Sequence, residues 1–469
     1  MLYILFICTL LLLTFSYVIF DRDFSHPSFI FCLAFAFFEL VCVAFANANA
    51  VTIGPETAMI ILGGMMIFIA FGVFAKYLEQ RTCPGNTEYR SEHRYIDLSN
   101  VIVVLVIICQ LITIYVYIRY LHRLYIAYYG KAGSLSACIN LCDQLTKFNT
   151  DDYNALKVRP GSLYNRTNLI SSSVPYLIIF TLVNNFIVRK KINVFQLFSA
   201  ALVAVRIYLS GARSALLILF VMIVLQVYIT KYRKPVGKKS GAGFVIKIFL
   251  ATLAFGAVSI GLLELMGRSG PSNIGHYLYV YLGAPIDNLD NYIQGGSVMM
   301  KDTLFGQHTF GRFYEYFQQK NLVDSSLGTV TDVLPFVKTA NGNTAGNVFT
   351  MYYFFLIDFG YAGIVPLTLI ITVFYTILYY KTRYRSNAAA GMSRTRAESF
   401  PYAVFIYTYL ANNLVMTPFS NRFYEDVVSI AFLKFVIITG LFTAVFINGR
   451  LKIGNTNIIF FKKKNYMIS

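Results

Sequence analysis

Runs of about 20 apolar residues recur along almost the whole chain, and they restrict its fold more than any other feature. Eleven such stretches can be marked: 2–20, 27–48, 56–78, 98–118, 169–188, 192–209, 212–230, 244–265, 348–380, 401–417 and 427–447. Hydrocarbon offers no water to backbone amides, so each spanning segment must satisfy its own, as an α-helix does. The expectation is an all-α polytopic integral membrane protein of about 11 (11–12) transmembrane helices, built as a single domain over 1–469. The stretch 348–380 is too long for one upright span and predicts a helix that tilts strongly or extends beyond the bilayer.

Composition agrees with this and excludes other classes. Hydrophobic residues make up 57% of the chain and charged residues 13%, against about a quarter charged in soluble proteins. The net charge of +18 does not indicate nucleic acid, because the basic residues collect in short connections between apolar runs, where they set topology. Seven cysteines fall mostly inside apolar runs without CxxC spacing, which predicts neither a disulfide framework nor a metal site. Cys138 and Cys142 share a helical face, as small half-buried residues do. Tryptophan is absent, so interfacial aromatic belts must come from the 35 tyrosines. The first 20 residues lack a basic lead and a small-residue cleavage site, so they are expected to be a retained span.

Loop charge orients the chain. Arg189 to Lys191, Lys231 to Lys239, Lys381 to Arg396 and the tail with Arg450, Lys452 and Lys462 to Lys464 are densely basic, which places them in the cytoplasm. Alternation then puts 49–55, 119–168, 210–211, 266–347 and 418–426 outside, with the N-terminus outside and the C-terminus inside. In the long outer loop, 266–347, basic residues are outnumbered by acids. The 119–168 segment disagrees, with Arg119, Arg123, Lys131, Lys147, Lys157, Arg159 and Arg166 against three aspartates; this excess suits an anionic lipid head group.

Five features could carry chemistry. The first is the outer hairpin Ser210-Gly-Ala-Arg-Ser214, with Arg206 on the same helical face as Arg213 if the helix continues. Arginine near hydrocarbon costs several kcal/mol, so these side chains either snorkel to lipid phosphate or bind a substrate phosphate. The second is Asn421-Arg422-Phe-Tyr-Glu425-Asp426, an anion site or a local ion pair. The third is the outer loop, where Tyr281-Leu-Gly-Ala-Pro-Ile-Asp-Asn-Leu-Asp290 precedes Leu304-Phe-Gly-Gln-His-Thr-Phe-Gly-Arg312 and Phe313 to Phe317. Aromatic rings interleaved with carboxylates and amides suit pyranose rings, although a folded amphipathic cap helix has the same pattern. His308 is a candidate general base there. The fourth is Asn347-Val-Phe-Thr, then Tyr352, Tyr353 and Asp358-Phe-Gly; an acid in an apolar run needs a polar interior or an arginine partner. The fifth, Asp21-Arg-Asp23, has the form of a metal-diphosphate motif, but it is a weak signal and falls on the cytoplasmic side.

Taken in order over roughly 205–365, the GxRS hairpin, the TyrLeuGlyAlaPro and PheGlyxxThrPhe segments, and Asn347-Val-Phe-Thr followed by Asp358-Phe-Gly resemble the bacterial O-antigen polymerases, which extend oligosaccharide repeat units and are related to the O-antigen ligases. The first 200 residues resemble the family in hydropathy alone. The resemblance implies a C-type glycosyltransferase-like fold in the bacterial inner membrane, with the active site facing the periplasm. Donor and acceptor would both be oligosaccharides on undecaprenyl diphosphate, with no cofactor, no metal and no nucleic acid. Membrane lipids, a chain-length regulator and a flippase would be partners.

On this reading Arg213, Arg422, Asp358 and His308 are catalytic, and Arg206, Arg268, Arg312, Asn347, Tyr352 and Tyr353 bind substrate. Guanidinium forks suit a departing lipid diphosphate and can stabilise its developing charge as a metal does elsewhere. Two alternatives compete. An O-antigen ligase would transfer finished glycan to lipid A core and would need His308 or His276; a lipid-linked oligosaccharide flippase would line a central cavity with charges.

Overall fold

The computed structural model describes residues 1–82, 95–147, 149–211, 214–233, 247, 274–296, 304–323, 334–383, 400–453 and 456–459. Helices dominate them. The main ones are α1 (Leu2–Ile19), α2 (Pro27–Ala44), α3 (Pro55–Thr82), α4 (Asn100–Tyr129), α5 (Leu135–Lys147), α6 (Ser162–Ser171), α7 (Val174–Arg189), α8 (Val194–Ser210), α9 (Ser214–Val227), α10 (Ala284–Gln294), α11 (Gly311–Gln318), α12 (Met351–Phe359), α13 (Tyr361–Thr382), α14 (Tyr402–Val415) and α15 (Ile430–Phe442). The described strands form only two short antiparallel hairpins, Val337–Lys338 with Thr344–Gly346 and Arg450–Ile453 with Thr456–Ile459.

Eight helical stretches among the described residues are long and apolar enough to cross a membrane, which makes this a multi-pass membrane protein. The stretches 192–209 and 401–417 form the shorter α8 and α14, and 244–265 lies outside the described residues except for Lys247. The eight spans found are thus a count of the described residues, set against an expected eleven, and each of the other ten stretches has a helix at its place.

The stretch 348–380 is not one tilted helix. Gly360 adopts φ 60°, ψ −158°, a conformation open essentially to glycine alone, and it separates α12 from α13. Gly211, in the left-handed region at φ 63°, ends α8. The helix that would carry Arg206 and Arg213 on one face therefore stops between them. Local polar residues set other helix ends: Asn193 accepts from the amides of Phe195 and Gln196, and Ser429 from that of Phe432.

Buried polar side chains join the helices where lipid offers no partner. Gln110 and Ser199 exchange hydrogen bonds at 3.1 and 2.8 Å between α4 and α8. Gln226 of α9 donates to Phe180 O of α7 at 2.6 Å, and Thr9 of α1 donates to Glu39 of α2 at 3.1 Å. Contacts between connections sort them into two ends. At one end, residues 20–25 meet Lys76, Tyr228, Arg233 and Tyr379. At the other, Asn341 reaches Ala48, Gly54 meets Asp290, Tyr361 meets Glu56, and Thr309 meets Asn421.

Candidate functional site

Three of the five sequence features meet at the second end. The short turn before α11 carries His308 and Thr309, whose amides donate to the Asp358 carboxylate at 3.2 and 2.6 Å. Asn421 Nδ2 closes the group by donating to Thr309 O at 2.9 Å. Phe310 lies edge-on to Phe359 and Tyr424, giving the turn an apolar floor. Asp358, expected to need an arginine or a polar interior, instead receives the amides of a loop drawn down onto α12. The half-buried Arg422 stands beside this group, 3.5 Å from Glu425. It and the exposed Arg312 both act on Asp426, whose carboxyl burial raises above the usual range against the pull of the two guanidiniums.

Three polar atoms on the residues of this group are left over. His308 Nε2, Asn421 Oδ1 and Arg422 Nε are buried and have no hydrogen-bond partner. Such atoms are costly, and three of them on residues joined by the Asn421–Thr309 hydrogen bond have the form of a site that takes a ligand. The arrangement can bind an anion through Arg422 and Arg312 and can accept or donate a proton at His308.

The remaining sequence candidates divide. Tyr352 is fully buried among Phe35 and Phe355, and Tyr353 stacks on Phe349 at 4.0 Å and meets Tyr292 edge-on, so both rings pack in the core. Asn347 is half-buried between the carbonyls of Ala345 and Val348, which Asn288 binds. Arg213 and Arg268 lie outside the described residues. Arg206 lines a cavity bounded by α4, α6, α7, α8 and the start of α9, and none of the residues lining it belongs to the Asp358 group.

The carboxylates of the Tyr281 to Asp290 segment are used internally. Within α10, Asp290 accepts from Gly54 N at 2.8 Å and Thr57 Oγ1 at 2.6 Å, and Asp287 accepts from Tyr279 Oη at 2.8 Å. Burial pushes Asp287 up to about 6, with the Tyr279 hydrogen bond opposing and Asp290 adding to the shift. A carboxyl whose folded pKa is raised favours folding while protonated, and that contribution is lost as pH rises through about 6. Asp287→Asn keeps an acceptor for Tyr279 and is expected to add about 3 kcal/mol of stability above pH 6, fading towards pH 4. Melting of the detergent-solubilised protein from pH 4 to 8 checks this; a difference that does not vary with pH would remove Asp287 as its origin.

At the first end lies a group that the sequence did not reveal. Asp23 Oδ2 accepts from Arg233 Nε at 3.0 Å and Tyr379 Oη at 2.7 Å, while Oδ1 accepts from Ser25 N and Oγ. Two further pairs flank it, Lys76 with Asp21 at 2.9 Å and Arg383 with Glu79 at 3.2 Å. His26, 1% exposed, stacks on Phe20 and meets Tyr379 edge-on. Burial pushes Asp23 up, but the Arg233 charge and the bonds from Ser25 and Tyr379 outweigh it and hold the carboxyl well below the usual range. The Asp21-Arg-Asp23 motif is thus an interhelical clamp, and among the described residues no cluster of His, Cys, Asp and Glu could hold a metal. The signal available in sequence was a set of balanced charges close to span ends, without any indication of which would meet.

Compared with family models, curated proteins and solved structures, the chain matches none.

Proposed function

We propose that the protein is a membrane glycosyltransferase that extends an undecaprenyl-diphosphate-linked glycan by repeat units at the outer face of the bacterial inner membrane. The observation that carries this reading is the convergence of His308, Asn421 and Arg422, each with a buried unpartnered polar atom, on the turn seated by Asp358. Arg422 and Arg312 bind the donor diphosphate as charge develops on the departing oxygen. The acceptor hydroxyl attacks the donor anomeric carbon with inversion; the bond from that carbon to the diphosphate oxygen breaks, and His308 takes the hydroxyl proton. Asp358 positions His308 by fixing its backbone.

Deleting the gene in its bacterium is expected to leave lipid A core capped with at most one repeat, read as loss of the lipopolysaccharide ladder. If deletion abolishes all capping while long polyprenyl-linked polymer accumulates, the ligase reading replaces this one.

A further inference from the structure

We propose that the cavity beside Arg206 is a binding site for the phosphate of an anionic membrane phospholipid, separate from the Arg422 group. The cavity holds about 140 Å³, far above the ~15 Å³ that a single water needs. Arg206 lines it together with Tyr117, Tyr164, Tyr176 and Asn168. Its Nη1 is buried with no hydrogen-bond partner, and no salt bridge joins Arg206 to an acid among the described residues. A buried guanidinium nitrogen left in this state is costly, and an anion in the cavity removes the cost. Phenolic and amide donors on the walls can serve the remaining oxygens.

Position points to lipid as the source. Arg206 lies four residues from the end of α8, about 6 Å along the axis, and the outer faces of α8 and α4 expose Phe198, Val205, Leu111 and Tyr115 to the hydrocarbon. The adjoining 119–168 segment carries seven basic residues against three aspartates, and one of those, Asp143, pairs with Lys147. Such a field concentrates anionic lipid at the surface. A single guanidinium matches a singly charged phosphodiester better than a diphosphate with two or more charges, which distinguishes this site from the proposed donor site.

The test is independent of glycan transfer. Purified full-length protein in a neutral detergent is titrated with dioleoylphosphatidylglycerol, with dioleoylphosphatidylcholine and with geranylgeranyl diphosphate, and followed by native mass spectrometry and melting. One phosphatidylglycerol should be retained and should raise the melting midpoint, with the zwitterionic lipid much weaker. Arg206→Gln should weaken the anionic lipid at least about tenfold. Should that variant not fold, Asn168→Leu, which removes a neutral donor from α6, is expected to weaken it about threefold. Equal phosphatidylglycerol affinity in wild type and variants overturns the proposal. So does displacement of that lipid by equimolar geranylgeranyl diphosphate, which would assign the cavity to the lipid-linked substrate.

Discussion

Asp23→Ala is expected to destabilise the protein by about 3–5 kcal/mol, the usual cost of removing one partner from a buried ion pair. The loss leaves the Arg233 guanidinium, 12% exposed, without its carboxylate, and Tyr379 without its acceptor. Most of the penalty comes from the stranded charge and not from the lost attraction. Asp23→Leu combined with Arg233→Met should therefore recover most of the stability. Melting and membrane abundance of the single and double variants measure both effects; a double variant no better than Asp23→Ala would mean that the pair is not the source. The pH dependence has a definite sign. Because the folded carboxyl is held below its unfolded value, its contribution is complete above about pH 4 and fades as pH falls below that.

Arg422→Lys is expected to lower glycan transfer by about a hundredfold, or ~3 kcal/mol, while the protein accumulates normally. Lysine keeps the charge but loses the planar fork. The guanidinium is unlike that of Arg233: its Nε has no partner, and its contact with Glu425 is a loose 3.5 Å, so little stability depends on it. Polymer length on gels and protein abundance on blots separate the outcomes. A full-length ladder from Arg422→Lys would reduce this arginine to an anchor at the membrane surface. Low abundance would make its partners structural.

Hydropathy located the helices because spanning segments carry their own signal, and ten marked stretches have helices. It could not locate the break at Gly360, since a left-handed glycine does not interrupt an apolar run; only the Asp358-Phe-Gly sequence hinted at it. The expected face shared by Arg206 and Arg213 failed for the related reason that Gly211 ends its helix. Asp358 was recognisable as an acid needing a partner, but the partner is the backbone of a turn about 50 residues away and bears no sequence mark. The aromatic residues Tyr352 and Tyr353 suited sugar binding by composition, yet in the fold their rings face other rings. Asp23 was set aside as a weak metal motif on the cytoplasmic side, and nothing local shows that its cation follows 210 residues later.

That separation has a consequence for biosynthesis. Chains emerge at about 5–20 residues per second, so the loop holding Asp23 waits roughly 10–40 s for Arg233 and roughly 20–70 s for Tyr379, 356 residues downstream. Throughout that interval the first helical hairpin carries an acid that has Ser25 on Oδ1 but neither of its Oδ2 partners, the balancing cation among them. A nascent chain stopped before residue 233 therefore presents an unmatched carboxylate at the membrane edge, whereas one released after residue 379 does not. Completion of the clamp thus reports that the chain has been made past residue 379, a signal that membrane quality-control proteases could read before α14, α15 and the Arg422 group exist.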